Sequence, residues 1–284
     1  MKYLPLTLLR ILVLFVMIAS SAQAEENEWS FGVLNQRSIT LTAQYWNPIL
    51  NYVSEKSGVR LTLKMAKTAQ ESSEMIGRGA FDFVYSNHIF TPTNTVVGYR
   101  IFARPVESTI RGEIVTLEDS PIRSLKELQG REVGFPSPAA FVAYAVTMDA
   151  LLKAGITVKP VFSGNQEGTM GQLKAGHVIA ASVNSQVMTD FASRENVRYR
   201  VVWSSEDYLN IPISAHPRVS KNTVAAVRRA FVAMARDPEG LKILEASAAF
   251  VRQKPPFGFL PAAAREYENQ RAFYRNTVLK ELRQ

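Results

Sequence analysis

The sequence of 284 residues contains no cysteine and only three histidines. The absence of cysteine excludes disulfides, thiolate catalysis, thiolate metal sites and a lipid-modified N-terminal cysteine. His88, His177 and His216 are scattered, and none belongs to a metal-binding or nucleophile motif. No GxGxxG motif and no P-loop occurs either. We therefore predict neither catalysis nor a bound cofactor or metal.

Long apolar runs are also scarce, and the one candidate lies at the N-terminus. Residues 1–24 carry Lys2 and Arg10 ahead of an apolar stretch at 11–19 and end in Ala-Gln-Ala, the small-x-small pattern of a signal peptidase site. The stretch is shorter than the roughly 20 residues of a membrane span. We predict export with cleavage after Ala24 and a soluble periplasmic protein. An uncleaved membrane anchor is the alternative.

The charge of the mature chain is only mildly basic. Without Lys2 and Arg10, 31 of the 33 basic residues remain against 25 acidic ones, which gives a net charge of +6. The basic residues are scattered, and no nucleic-acid-binding motif accompanies them. We expect a monomer that does not bind nucleic acid.

Short strand patterns alternate with helix patterns, and a glycine follows each of the first four helices. This alternation predicts an α/β fold with largely parallel sheets. The predicted strands are residues 29–34, 61–65, 81–85, 100–103, 113–117, 132–135, 158–162, 178–183 and 198–203. The predicted helices are residues 45–56, 70–78, 124–129 and 138–154, followed by a helical tail at 224–236, 238–248 and 261–282.

Two places interrupt the alternation, because extended runs follow one another without a helix at 100–118 and 198–216. If the chain passes from one lobe to the other in each of these two extended regions, the protein has two lobes joined by two strands, and this is the arrangement we predict. Lobe 1 is predicted to comprise residues 25–108 and 214–284, and lobe 2 residues 109–213. A single continuous sheet is the alternative.

Polar and aromatic residues cluster where the predicted strands end or the next helices begin, and open α/β sheets bind ligands at this edge. Each alone is typical of helix capping, but their recurrence favours a ligand site. The candidates are Tyr45 and Trp46 near the start of the first helix, Tyr85, Ser86, Asn87 and His88, then Ser137, then Asn165, Gln166 and Glu167, and finally Asn184.

The segment Ser137-Pro138-Ala139-Ala140 allows two interpretations. Serine is a good N-cap and proline suits the first helical position, so the segment begins a helix at Pro138. Alternatively, the Ser137 hydroxyl and the N–H groups of Ala139 and Ala140 hold an anion at the helix start. In that case Tyr45, Trp46 and Tyr85 supply an apolar or stacking wall beside the ligand.

Six blocks carry a family likeness: YWNPILNYVSEKSGVRLTL, GAFDFVYSN, GEIVTLEDSPIRSLKELQGREVGFPSP, AGI, AGHVIAASVNS and RDPEGLKIL. In this order they resemble the phosphate/phosphite/phosphonate ABC-importer substrate-binding proteins over nearly the whole mature chain. The resemblance implies a type II periplasmic binding fold, with two α/β lobes, a two-strand hinge and a ligand in the cleft.

The chain departs from that family's pattern at three places. A Ser-Thr-Ser-Gly run of phosphonate binders is replaced by Ser137-Pro138-Ala139-Ala140. A histidine found in many members is matched by Asn165 or Gln166, and an aspartate by Ile179. These departures leave the identity of the ligand open.

The resemblance implies a periplasmic solute-binding protein that captures a small, anionic, phosphonate- or phosphate-like ligand and passes it to an ABC permease. Two alternatives remain at this point. One is a ligand-sensing accessory protein that docks on the periplasmic domain of a signalling kinase, and the other is an enzyme on the same fold.

Overall fold

The computed structural model describes residues 28–106 and 109–283, so the predicted signal peptide and its cleavage site lie outside the described residues. The strands are β1 (Trp29–Val33), β2 (Leu61–Lys64), β3 (Phe83–Tyr85), β4 (Arg100–Pro105), β5 (Thr109–Ile110), β6 (Gly112–Leu117), β7 (Glu132–Phe135), β8 (Lys159–Phe162), β9 (Ala180–Asn184), β10 (Tyr199–Ser204), β11 (Tyr208–Leu209), β12 (Ile213–Ala215) and β13 (Phe259–Pro261). The α-helices are α1 (Ile39–Ser57), α2 (Ala69–Gly77), α3 (Thr147–Lys153), α4 (Gln166–Lys174), α5 (Ser185–Glu195), α6 (Lys221–Ala233), α7 (Pro238–Val251) and α8 (Glu268–Asn276). In these described ranges no helix is both long and apolar enough to cross a membrane.

The sequence patterns located these strands well but predicted neither α4 nor α5. Each predicted strand is present, with bounds that differ by two residues at most. The predicted helix at 124–129 is instead a short 3-10 turn at Leu125–Leu128. The predicted tail helix at 261–282 is also wrong as one element, because it is divided into 3-10 turns on either side of α8.

The strands form two main sheets and one short ribbon. A six-stranded sheet has the order β13-β4-β12-β3-β1-β2, and a five-stranded sheet has the order β10-β6-β9-β7-β8. β5 and β11 pair with each other between them, and this antiparallel pair is the two-strand hinge. The strands of one sheet thus come from residues 29–105 and 213–261, and those of the other from 112–204.

The expectation of largely parallel sheets is wrong, because both sheets are mixed. β1 is parallel to its neighbours β2 and β3, and β7 is parallel to β8 and β9. β12, β13, β6 and β10 add antiparallel pairs. Parallel neighbours need a crossover connection, whereas a strand that arrives directly from the other sheet can pair antiparallel.

The first sheet is packed on an aromatic core beneath α1 and α6. The ring of Phe31 lies 5.4 Å from that of Trp46 and 5.9 Å from that of Phe231, measured between centroids. Phe31 and Phe231 are fully buried. This packing holds α1 and α6 against β1, and the loop between β1 and α1 borders the cleft.

The final segment of the chain crosses from one sheet region to the other. The ring of Tyr267 stacks on Phe90 at 5.3 Å, and farther along the rings of Phe273 and Tyr274 contact Phe141. The hydroxyl of Thr277 then donates to Asp149 Oδ1 at 2.7 Å. The assignment of all of 214–284 to lobe 1 stays a prediction. Residues 267–277 contact Phe90 in predicted lobe 1 and Phe141 and Asp149 in predicted lobe 2.

Candidate functional site: a closed cleft between the two sheets

The carboxyl ends of β1 and β3 face those of β7 and β9 across a cleft, the position at which open α/β sheets bind ligands. Two adjoining pockets occupy it, and both are lined by Leu34 and Gln36. The aromatic pocket is further lined by Val33, Arg37, Thr42, Tyr45, Trp46, Tyr85, Pro105, Gln186, Val187 and Gln253. The amide pocket is further lined by Asn35, Ala69, Asn87, His88, Pro136, Ala140, Phe141, Val142, Ala143, Gln166, Asn184 and Ile211.

The aromatic pocket rests on α1. This helix begins at Ile39, after the N-cap Ser38, whose hydroxyl accepts a hydrogen bond from the N–H of Leu41 at 3.3 Å. The expectation that Tyr45 and Trp46 lie near the helix start is therefore wrong, since they lie almost two turns inside it. Their rings are 5.5 Å apart, and Trp46 lies 4.8 Å from the ring of Tyr85, so the three rings form one continuous wall.

The segment after β7 turns once before its helix begins. The N–H of Ala139 donates to Ser137 Oγ at 3.0 Å, and the N–H of Ala140 donates to the Ser137 carbonyl at 3.1 Å. The helix begins only at Phe141, so the predicted start at Pro138 is wrong. Both N–H groups that the sequence offered for an anion are therefore engaged within this turn.

The helix that follows has a π-helical first part, Phe141–Val146, which continues into α3. Its first wide bond runs from the N–H of Ala145 to the carbonyl of Ala140 at 3.0 Å. Residues 141–143 line the amide pocket. Their N–H groups lie in the first turn of the helix, so no carbonyl within the helix can accept from them. Such a helix start attracts an anion through free N–H groups and the helix dipole.

The opposite wall of the amide pocket carries Asn87 and His88, which are 5% and 1% exposed. The backbone N–H of His88 donates to Ser86 Oγ at 3.1 Å, so Ser86 supports the turn without lining either pocket. Neither ring nitrogen of His88 has a hydrogen-bond partner among the described residues. Burial lowers the pKa of His88 from its ordinary value of 6.5 to about 4, which keeps the ring neutral.

The predicted residues at the next strand ends divide between pocket and scaffold. Asn165 caps α4 by accepting from the N–H of Gly168 at 2.8 Å. Glu167 pairs with Arg194 at 2.5 Å. Eight of the predicted residues line a pocket: Tyr45, Trp46, Tyr85, Asn87, His88, Ala140, Gln166 and Asn184. The other five do not line either pocket: Ser86, Ser137, Ala139, Asn165 and Glu167.

Direct contacts close the cleft. Arg37 Nη2 lies 2.7 Å from Asp190 Oδ2, and these side chains are only 15% and 6% exposed. The N–H of Glu167 donates to the carbonyl of Gln36, and that of Ala69 to the carbonyl of Gly164, both at 3.2 Å. Burial raises the pKa of Asp190, while the charge of Arg37 opposes this effect.

The sequence argument missed the loop that follows β1. Asn35, Gln36 and Arg37 line the pockets, and they stand directly after a strand, as the other candidates do. The rule that open α/β sheets bind ligands where their strands end therefore indicates these three residues as well. Gln186 had no such signal, since it lies one residue inside α5.

The amide pocket combines polar and apolar side chains but carries no charge. Of the described residues that line it, none is acidic or basic apart from the neutral His88. Within the described ranges, no three His, Asp or Glu side chains are grouped as a metal site requires. The pocket can therefore hold a ligand through N–H groups, amides and an imidazole.

The buried state of His88 predicts a pH-dependent stability. Between about pH 6.5 and 4 the unfolded chain binds a proton at His88 that the folded protein does not. The free energy of unfolding is therefore highest above pH 6.5 and falls as the pH is lowered toward 4. His88→Phe should flatten the pH dependence of the unfolding free energy by roughly 2 to 3 kcal/mol between pH 7 and 4.5. Urea unfolding measures it, with His177→Phe as an exposed control. Equal pH slopes in both variants would contradict the assignment.

Two sheets, a paired two-strand hinge and a cleft at the strand ends define the class of type II periplasmic binding proteins. Within that class, residues 31–257 match the model of the family described as "ABC transporter, phosphonate, periplasmic substrate-binding protein". The chain belongs to this family. It is a periplasmic solute-binding protein, as the sequence resemblance predicted.

Solved structures share the fold at low sequence identity. A binding protein component of an ABC phosphonate transporter from Pseudomonas aeruginosa superposes with a TM-score of 0.76 at 16% identity, covering 88% of this chain and 86% of that one. PhnD1 from Prochlorococcus marinus, in complex with methylphosphonate, gives a TM-score of 0.72 at 15% identity, covering 88% and 98%. At these identities the likeness concerns the fold.

A curated relative comes from a signalling system. The tetrathionate sensor histidine kinase TtrS of Salmonella typhimurium is 26% identical over 137 residues, which are 45% of this chain and 23% of the sensor. The chain thus matches about a quarter of the length of that relative.

Proposed function

We propose that the chain captures a small anionic, phosphonate- or phosphate-like ligand in the amide pocket and delivers it to an ABC permease. The observation that carries this proposal is the free helix start at residues 141–143, which lines the pocket opposite Asn87 and His88. The N–H groups of these residues would hold the anionic oxygens, in place of those of Ala139 and Ala140. An organic substituent would lie in the adjoining aromatic pocket.

Calorimetric titration with methylphosphonate and with inorganic phosphate tests this proposal. We expect saturable binding of at least one of them, and an affinity at least about tenfold lower in Asn87→Ala, because a polar contact in the pocket is lost. The matched control is Asn222→Ala on the exposed side of α6, which should bind like the parent. Native mass spectrometry of protein purified from the periplasm would reveal a different ligand as added mass. Absence of binding to both anions would contradict the proposal.

The similarity to a sensor kinase supports a second candidate, in which the ligand-bound protein docks on the periplasmic domain of a kinase. Co-purification with a permease rather than with a histidine kinase would favour transport. An enzyme on this fold is the third candidate, and multiple turnovers by the pure protein would be required to support it.

We also propose cleavage after Ala24 and a monomeric state. Intact mass measures the first, and light scattering measures the second.

A further inference from the structure

The amide pocket contains polar atoms that the protein itself leaves unsatisfied. Asn35 Oδ1, Asn87 Oδ1 and both ring nitrogens of His88 are buried and have no hydrogen-bond partner among the described residues. The three side chains are at most 5% exposed. Buried polar atoms in native proteins nearly always have partners, so a group of orphans in one cleft points to a ligand that supplies them.

Other hydrogen bonds hold the Asn35 side chain and the backbone of His88 in place. Asn35 Nδ2 donates to the Ala66 carbonyl, which leaves its amide oxygen as an acceptor. The carbonyl of His88 accepts from Asn94 Nδ2 at 3.1 Å and from the N–H of Thr91 at 3.2 Å. The Asn35 amide and the backbone that carries His88 are therefore fixed at the wall of the pocket.

The two walls of the pocket differ in hydrogen-bonding character. The helix start at residues 141–143 presents N–H donors. The opposite wall presents amide oxygens and a neutral imidazole, which has one acceptor nitrogen and one N–H. A fully deprotonated oxyanion has no hydrogen to give to the acceptors, so it would place its own lone pairs against theirs.

Building on the function proposed above, we propose that the amide pocket selects an anion that still carries a proton. The anionic oxygens of a singly protonated phosphonate-type group would accept from the helix start. Its P–O–H group would donate to the acceptor wall of Asn35, Asn87 and His88. The pocket thus selects a ligand by its O–H group as well as by its negative charge.

Methylphosphonate and methanesulfonate distinguish these properties. Near pH 5.5 each is a tetrahedral monoanion with one methyl group, but only methylphosphonate has an O–H, since the second pKa of a phosphoryl group is about 6. Titration calorimetry of the parent should give at least about tenfold tighter binding of methylphosphonate. In His88→Phe this preference should fall at least about threefold, while the same change at the exposed His177 should leave it intact. Urea unfolding verifies that both variants are folded.

The outcomes separate this inference from the function on which it rests. Binding of both anions with affinities within about threefold of each other overturns the selection of a proton and leaves the anion-binding function standing. Binding of neither anion overturns the proposed function and this inference with it. An unchanged preference in a folded His88→Phe variant removes His88 from the acceptor wall and overturns its assignment.

Discussion

Replacing Arg37 by alanine is expected to weaken binding of methylphosphonate by about 100-fold or more. The substitution leaves Asp190 buried without its partner whenever the cleft closes, and breaking a buried ion pair in this way costs about 3 to 5 kcal/mol. An open cleft lets water reach the carboxylate, so the cost falls on the closed state. Calorimetry measures the affinity, and small-angle scattering should show a larger radius of gyration for the variant in the presence of ligand.

A double substitution and a surface control sharpen this experiment. Arg37→Met combined with Asp190→Leu removes both charges and should recover most of the affinity, because apolar pairs often replace buried ion pairs without loss. Arg198→Ala removes an exposed pair with Glu118, formed at 3.1 Å, and should change little. If Arg37→Ala binds like the parent and scatters alike, the pair does not hold the cleft closed.

Gly112→Ala is expected to damage both folding and binding. A Cβ at this position would overlap the carbonyl oxygen of Val142 and come within 3.2 Å of Thr147 Cγ2. The helix start that lines the amide pocket would have to move away from β6. Overpacking of this kind costs about 1 to 3 kcal/mol of stability, and the displaced N–H groups should lower methylphosphonate affinity at least about tenfold.

Gly171 is the matched control for this substitution. It lies inside α4, and apart from the helix's own backbone no atom lies within 4 Å of an added Cβ, so Gly171→Ala should be neutral or raise the unfolding free energy by about 0.5 to 1 kcal/mol. Urea unfolding and calorimetry compare the two variants. Parental stability and affinity in Gly112→Ala would show that the close approach to Val142 does not position the helix start.

Local sequence patterns sufficed for much of the fold. The strands could be located because short apolar runs end at polar or glycine residues, and the paired crossings indicated the hinge. The predicted start of α1 at Tyr45 is wrong, because the helix begins at Ile39 directly after its N-cap Ser38. The sheets proved mixed because strand direction depends on the lobe from which each strand arrives.

The candidate site depended more on distant contacts. Whether Asn87 or Asn165 lines a pocket is decided by what each caps and by which elements pack nearby. The delayed helix start at Phe141 reflects a turn around Ser137 and the close passage of Gly112, 29 residues earlier in the chain. The pair of Arg37 and Asp190 joins residues 153 positions apart, which no local pattern predicts.

The last segment of the chain has a mechanical consequence. Besides β5 and β11, it forms a third tie between the sheet regions, since it stacks on Phe90 at one end and bonds to Asp149 at the other. Two adjacent strands alone permit both bending and torsion, whereas a third segment bonded beside them braces the hinge: the Tyr267 hydroxyl donates to the carbonyl of Asn210, next to β11, at 2.8 Å. We expect this brace to limit twisting of one lobe against the other, so that the two faces of the cleft meet in the same register each time they close.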